Sequence, residues 1–203
     1  MRYLRCKETA KLLRVRLKKE FPGTKFSVRS DVYAGGASIR VEYTDGPALK
    51  DVEAVCNEYN GSGFDGMIDM KIHYQHYILP DGQVCLYKSP GTVGSGGYKD
   101  KIDNELPEGA EAVSFGADYV FVNKNNTVKR IVSAIKWIEK KYPETKGLFG
   151  IYENPDDKTG SICNRRWLDN QGHSHEAREI NNELYEIVNQ NKPSAIGPIR
   201  INN

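Results

Sequence analysis

No run of about 18 apolar residues occurs in the 203-residue chain, so no segment reads as a membrane-spanning helix. The start, MRYLRCKETAKLL, lacks the apolar stretch of a secretory signal, and a cytoplasmic location is the expectation. Cysteine is sparse: Cys6, Cys56, Cys85 and Cys163 form no CxxC pair. That spacing argues against a zinc site and for reduced thiols, most of them buried. The glycine run SPGTVGSGG at 89–97 lacks a following GK[ST] and an apolar helical stripe, so it reads as a flexible loop, not a phosphate cradle. No Ser–His–Asp or Cys–His set is visible by spacing. No catalytic residue, cofactor or metal is therefore assigned. Fixed-period repeats and low-complexity tracts are also missing.

What is present is a soluble composition, 38% hydrophobic and 28% charged, in a chain long enough to bury a core without disulfides. Net charge is only +2 but is unevenly spread. Residues 1–30 hold ten Lys/Arg against Glu8 and Glu20, a local balance of +8; the remaining 19 basic and 25 acidic residues give −6. Such asymmetry points to an anionic partner or to charge contacts within the chain.

Residues 6–21 read as an amphipathic helix, with Cys6, Ala10, Leu13, Leu17 and Phe21 as its buried stripe. Lys7, Lys11, Arg14 and Lys18 recur at the same spacing beside it. Pro22-Gly23 ends the helix. Two strands with period-2 alternation follow, joined by a glycine hairpin. Phe26, Val28, Ala37, Ile39, Val41 and Tyr43 share the apolar face; Lys25, Ser27, Arg29, Ser38 and Arg40 share the polar one. Asp45-Gly46-Pro47 turns the chain into a helix at 48–59. A Gly-rich loop over 60–70 leads to a hairpin, 71–79 and 83–88, turning at Pro80-Asp81-Gly82. Residues 89–111 read as a long mobile loop. A strand over 112–122 with a bulge at Gly116, a helix at 128–142 capped by Asn126 or Thr127, a short strand in 147–154 and a helix at 174–190 complete the chain. The fold class is α+β: an antiparallel sheet, helices mainly on one face, and an opening helix–strand–strand–helix unit. The division expected is 1–70 and 71–203.

Chemistry-bearing side chains fall into three groups. His73 and His76, on a strand, point to opposite faces and do not share a metal. Asp65 and Asp69 offer a carboxylate pair for a metal or general base, but Asp65-Gly66 reads better as a turn. In the cluster His173, His175 and Glu176, positions 173 and 175 chelate if extended; the cluster reads better as a polar cap before the last helix. The basic stripe is the most specific signal. Like charges on adjacent helical turns repel by a few tenths of a kcal/mol per pair, which an anionic partner relieves. Phosphates are the first candidate; internal pairing and an acidic protein are the others.

FPGTKFSVRS, GGASIRVEYTDGP and, after a helix, FDGMIDM together resemble large polyvalent protein-associated domain 29, over about residues 7–70. The resemblance implies a protein of phages, plasmids or conjugative elements, a group in which some members counter host defences. Ser27, Arg29, Ser38, Arg40, Asp45, Gly46, Pro47, Phe64, Asp65, Gly66 and Asp69 stand at the recurring positions. No catalytic mechanism comes with it. The expectation is a small accessory protein of a mobile element that binds nucleic acid or a host defence nucleoprotein, acting against that defence, as an anti-CRISPR protein does. Lys7, Lys11, Arg14, Lys18 and Lys25 would meet phosphates, and Arg29 and Arg40 would form a second site. One alternative is an enzyme or nucleotide-handling domain using Asp65, Asp69 and His73 or His76. Another is an inhibitor whose acidic later part mimics nucleic acid.

Overall fold

A computed structural model describes residues 1–88, 91–95, 106–163 and 175–190. The loop expected over 89–111 and the His173–His175–Glu176 cluster fall wholly or partly outside them. The chain forms two compact units: Met1–Glu42 with Asp51–Asn123, and Tyr43–Lys50 with the chain from Lys124 onward. The fold is α+β.

The first unit opens with a short strand that alternation did not reveal, β1 (Arg2–Leu4). Helix α1 (Cys6–Glu20) follows, and the Arg5 N–H donates to the Glu8 carboxylate at its start. Cys6, Thr9, Ala10, Leu13 and Leu17 form its buried face. Strands β2 (Ser27–Tyr33) and β3 (Gly36–Thr44) make the antiparallel hairpin that the sequence predicts. Val28, Ala37, Ile39, Val41 and Tyr43 are all buried, so the alternation reads the correct face. α1 packs against β2, and α2 (Leu49–Asn57) buries Val52 and Cys56.

The next stretch departs from expectation at three places. The 60–70 segment is not all loop, since Ser62–Asp65 form a strand, and residues 71–79 are not one strand. β4 (Ser62–Asp65) pairs with β5 (Met70–His73), and β6 (Gln75–Ile78) belongs to another sheet. The break falls at Tyr74, whose N–H donates to the Gly61 carbonyl. Likewise 112–122 is not one bulged strand but β8 (Glu111–Phe115) and β9 (Tyr119–Thr127). Between them, the Gly116 N–H donates to the Leu4 carbonyl, and the Ala117 and Asp118 carbonyls accept from Gly61 and Ser62. A Cβ on Gly116 would collide with the Tyr3 hydroxyl, and one on Gly61 with the Phe115 and Ala117 carbonyls. The Pro80 turn joins β6 to β7 (Val84–Lys88) in antiparallel pairing as expected. The sheet order is β1–β8–β6–β7. The pairing of β1 with β8 is parallel, so antiparallel pairing dominates without being universal.

In the second unit, helix α3 (Val128–Lys141) begins at Thr127, whose hydroxyl accepts from the Arg130 N–H. β10 (Gly150–Glu153) pairs with β11 (Thr159–Cys163), which pairs with the end of β9. Helix α4 (His175–Gln190) packs on α3. Ile131, Ala134, Ile135 and Ile138 meet Phe149, Ile180, Leu184, Ile187 and Val188 in one apolar core. All four cysteines are free, but only Cys6 and Cys56 are buried, not most of the four as expected; Cys85 is half-buried and Cys163 exposed. No described helix is long and apolar enough to cross a membrane.

Candidate functional site

Burying Leu13 and Leu17 turns Lys7, Lys11, Arg14 and Lys18 outward, and all four are exposed. Among the described residues, no carboxylate lies within 4 Å of Lys7, Lys11 or Lys18. Arg14 differs. Its guanidinium donates to the Val28 carbonyl of β2. Among the described residues β2 has β3 as its only strand neighbour, and its other edge pairs with no described strand. Hydrogen-bonded pairs alternate back from the two-residue Ala34-Gly35 loop, which turns the Val28 carbonyl toward that edge. Arg14 therefore covers an edge acceptor and is partly committed to structure. Arg16, off the stripe, pairs with Glu20 at 3.3 Å and Glu58 at 3.8 Å.

On the hairpin, the register sets Arg29 directly opposite Arg40. Both are exposed, as is Lys25. Like charges facing each other across strands destabilise the pair by a few tenths of a kcal/mol. Glu42 faces Ser27 and Asp31 faces Ser38 in the adjoining rows, yet no acid stands within ion-pair distance of either arginine among the described residues. The polar face thus holds two unneutralised guanidinium groups, with Ser27 and Ser38 half-buried beside them.

The acidic positions of the recognised pattern serve the backbone instead. Asp65, fully buried, accepts from the Met67 N–H at 3.0 Å and from the Thr92 N–H. Those amides, Thr92 foremost, hold its carboxyl below the usual range. Asp69 is exposed in the left-handed region at φ 53°. Asp65 spends its charge on the 66–67 turn and the 91–95 segment, in agreement with the turn reading over a catalytic pair. Asp45, in the second unit, accepts from the Thr127 N–H and hydroxyl at 3.0 and 2.9 Å, which fixes the start of α3.

Reading the residues by spacing missed the polar cluster around Asp118. In the first unit this carboxylate accepts from the Ala37 N–H at 3.0 Å and the Ser62 hydroxyl at 2.9 Å, and pairs with Lys71 at 2.6 Å. Ser62 Oγ lies 3.0 Å from His73 Nδ1. Since the Ser62 proton goes to Asp118, His73 donates to the Ser62 oxygen through Nδ1. Burial opposes the Asp118 charge, but Lys71, Ala37 and Ser62 together outweigh it and lower its pKa. The residues come from four separate stretches, which is why spacing missed them; a Cβ on Gly36 would collide with Asp118, the one local trace. The cluster borders a cavity of about 370 Å³ that Tyr3, Arg5 and Ser114 also line. His76 is elsewhere: buried, with its ring 4.7 Å from that of Phe115. Asp65, Asp69, His73 and His76 do not gather in that cavity, where only His73 is found. No described group of three or more His, Cys, Asp or Glu is arranged to hold a metal.

The model of the family described as large polyvalent protein associated domain 29 matches residues 4–133. That is well over half of the chain, which therefore belongs to this family, and so to proteins associated with the polyvalent proteins of phages and mobile elements. The match runs beyond the 7–70 stretch read from the sequence and takes in the Asp118 cluster. No curated protein and no solved structure matches.

Proposed function

We propose that this member of the large polyvalent protein associated domain 29 family grips a nucleic-acid backbone through Lys7, Lys11 and Lys18 on α1, with Lys25, Arg29 and Arg40 on the strand segment beside it. The observation that carries the reading is the contrast in how charges are used. These six cations are exposed, and among the described residues no carboxylate lies within 4 Å of them. The acids, by contrast, are widely engaged: Asp118 with Lys71, Glu183 with Lys141, Glu186 with Lys50, and Asp45 and Asp65 with backbone amides. That engagement counts against an acidic nucleic-acid mimic. Unpaired lysines and arginines on regular elements suit phosphates, which they position without reading bases. The biological target we assign is the nucleic acid of a host defence nucleoprotein, which a mobile element gains by occluding.

The test is fluorescence anisotropy of labelled single-stranded DNA, duplex DNA and RNA, for the wild type and K7E/K11E/K18E. Each duplex phosphate contact adds about 0.9 to the slope of log K against log salt. Loss of three contacts should lower the slope by about 2.7, equivalent to roughly 40-fold less salt sensitivity between 50 and 200 mM. Binding that the triple variant leaves unchanged would falsify the reading. Absence of binding by the wild type at low salt would also overturn it and turn attention to an acidic protein surface.

A further inference from the structure

The second unit contains a cavity of about 460 Å³ that the polyanion-contacting surface does not use. Its walls are apolar where Ile131, Ile162, Leu184 and Val188 contribute, and Lys124, Ser161 and four asparagines supply polar groups. A concave space of this size with apolar walls and convergent polar groups is the usual form of a small-molecule site. Lys124 is the reactive group in it. Its Nζ donates to the Pro47 carbonyl at 2.9 Å and to the Asn189 carbonyl at 3.0 Å.

Those two acceptors need only the two hydrogens that the neutral amine also carries. An NH2 group has two hydrogens, and both are used, so its lone pair stays available; the ammonium form carries a third hydrogen. A capping role alone accounts for less of the geometry. Arg130 already supplies a cation to the last carbonyls of α4, donating to Val188 at 2.9 Å and Ile187 at 3.3 Å. Burial first, and then Arg130, push the Lys124 pKa down to about 8, against a pull upward from Asp45. The Tyr43 ring, 5.9 Å away, and the Tyr185 side chain on the cavity wall are the other titratable groups that face it. At pH 7.4 about 20% of such an amine is neutral, against about 0.1% for an ordinary lysine.

We propose that Lys124 is a covalent capture point, at which a small aldehyde or ketone entering the 460 Å³ cavity is held as an imine. The neutral nitrogen adds to the carbonyl carbon, and a proton passes from nitrogen to the former carbonyl oxygen. The carbinolamine oxygen then takes a proton from solvent and leaves as water, giving the protonated imine with no change in oxidation state. Its one N–H goes to one of the two carbonyl acceptors. Apolar walls favour an aryl or short alkyl carbonyl compound.

Benzaldehyde with sodium cyanoborohydride tests this on the full chain. The reductant fixes the imine as a benzylamine, and peptide mass spectrometry locates it. We expect Lys124 to label at least tenfold faster than exposed Lys7 or Lys18, with a midpoint near pH 8. K124R should abolish that signal while the N-terminal amine, an internal reference, still labels. In the wild type, excess benzyl alcohol should slow labelling at Lys124 and not at the N-terminus. Ser161→Trp, which fills the cavity from β11, should do the same. Labelling at Lys124 no faster than at Lys7 overturns the proposal, as does labelling that benzyl alcohol leaves unaltered; the latter readout needs no variant to fold.

Discussion

Replacing Asp118 with Asn should destabilise the first unit more than any other single polar substitution there. The carboxylate meets three donors: the Ala37 amide, the Ser62 hydroxyl and the Lys71 ammonium. Asparagine keeps one acceptor oxygen and sets an NH2 group where the second oxygen was. If that NH2 faces Ala37, two N–H groups oppose each other and a buried amide loses its partner, at about 1–3 kcal/mol. Loss of the charged bond to Lys71 removes part of a further 1.5–3 kcal/mol, discounted because Lys71 is 35% exposed. The sum is about 3 kcal/mol, or roughly 6–12 °C in Tm for a protein of this size. Urea and thermal melts followed by far-UV circular dichroism give the number. The pH dependence gives the mechanism. The folded Asp118 pKa is depressed, so its stabilisation is present above the unfolded value near 3.9 and is lost as pH falls through the lower folded one. The gap between wild type and variant should be constant from pH 5 to 7 and close below pH 4. A loss under 1 kcal/mol at pH 7, or a gap that widens in acid, refutes the reasoning.

Asp65→Ala should leave the Met67 and Thr92 amides unpartnered, and both should exchange faster with deuterium while β2 and β3 amides keep their rates. Thr127→Ala removes the hydroxyl that caps α3 and bonds Asp45, and should cost about 1–2 kcal/mol in a urea melt. Gly61→Ala forces a methyl into the Phe115 and Ala117 carbonyls and should lower Tm by several degrees, about 1–3 kcal/mol.

Periodicity carried the reading wherever one periodic pattern met one apolar face. α1, β3, α3 and α4 fall within two residues of where their apolar spacing put them, while β2 runs on to Tyr33, beyond the Phe26–Val28 alternation that marked it. It failed where a run of strand-like residues changes partners partway, at Tyr74 and at Gly116–Asp118, because alternation records faces and not neighbours. β1 was missed because three residues are too few to show a period. Of the site, the outward phase of Lys7, Lys11, Lys18, Arg29 and Arg40 was legible, since it is the complement of a buried stripe. The commitment of Arg14 to Val28 was not, nor was the Asp118 cluster: both depend on contacts between elements distant in the chain. Asp45 and Asp65 stand out in the sequence because a turn requires a carboxylate at that point, a local demand that resembles a functional one.

The chain passes between its two units three times, after Glu42, after Lys50 and after Asn123. The eight residues Tyr43–Lys50 are thus lent by the earlier part of the chain to the later one, where Asp45 sets the start of α3 and Pro47 holds Lys124. No single cut therefore frees either unit whole. A fragment ending at Asn123 strands Asp45 without Thr127, and one starting at Lys124 lacks both partners. The family match likewise continues past Asn123 into α3 and so does not follow the division into compact units.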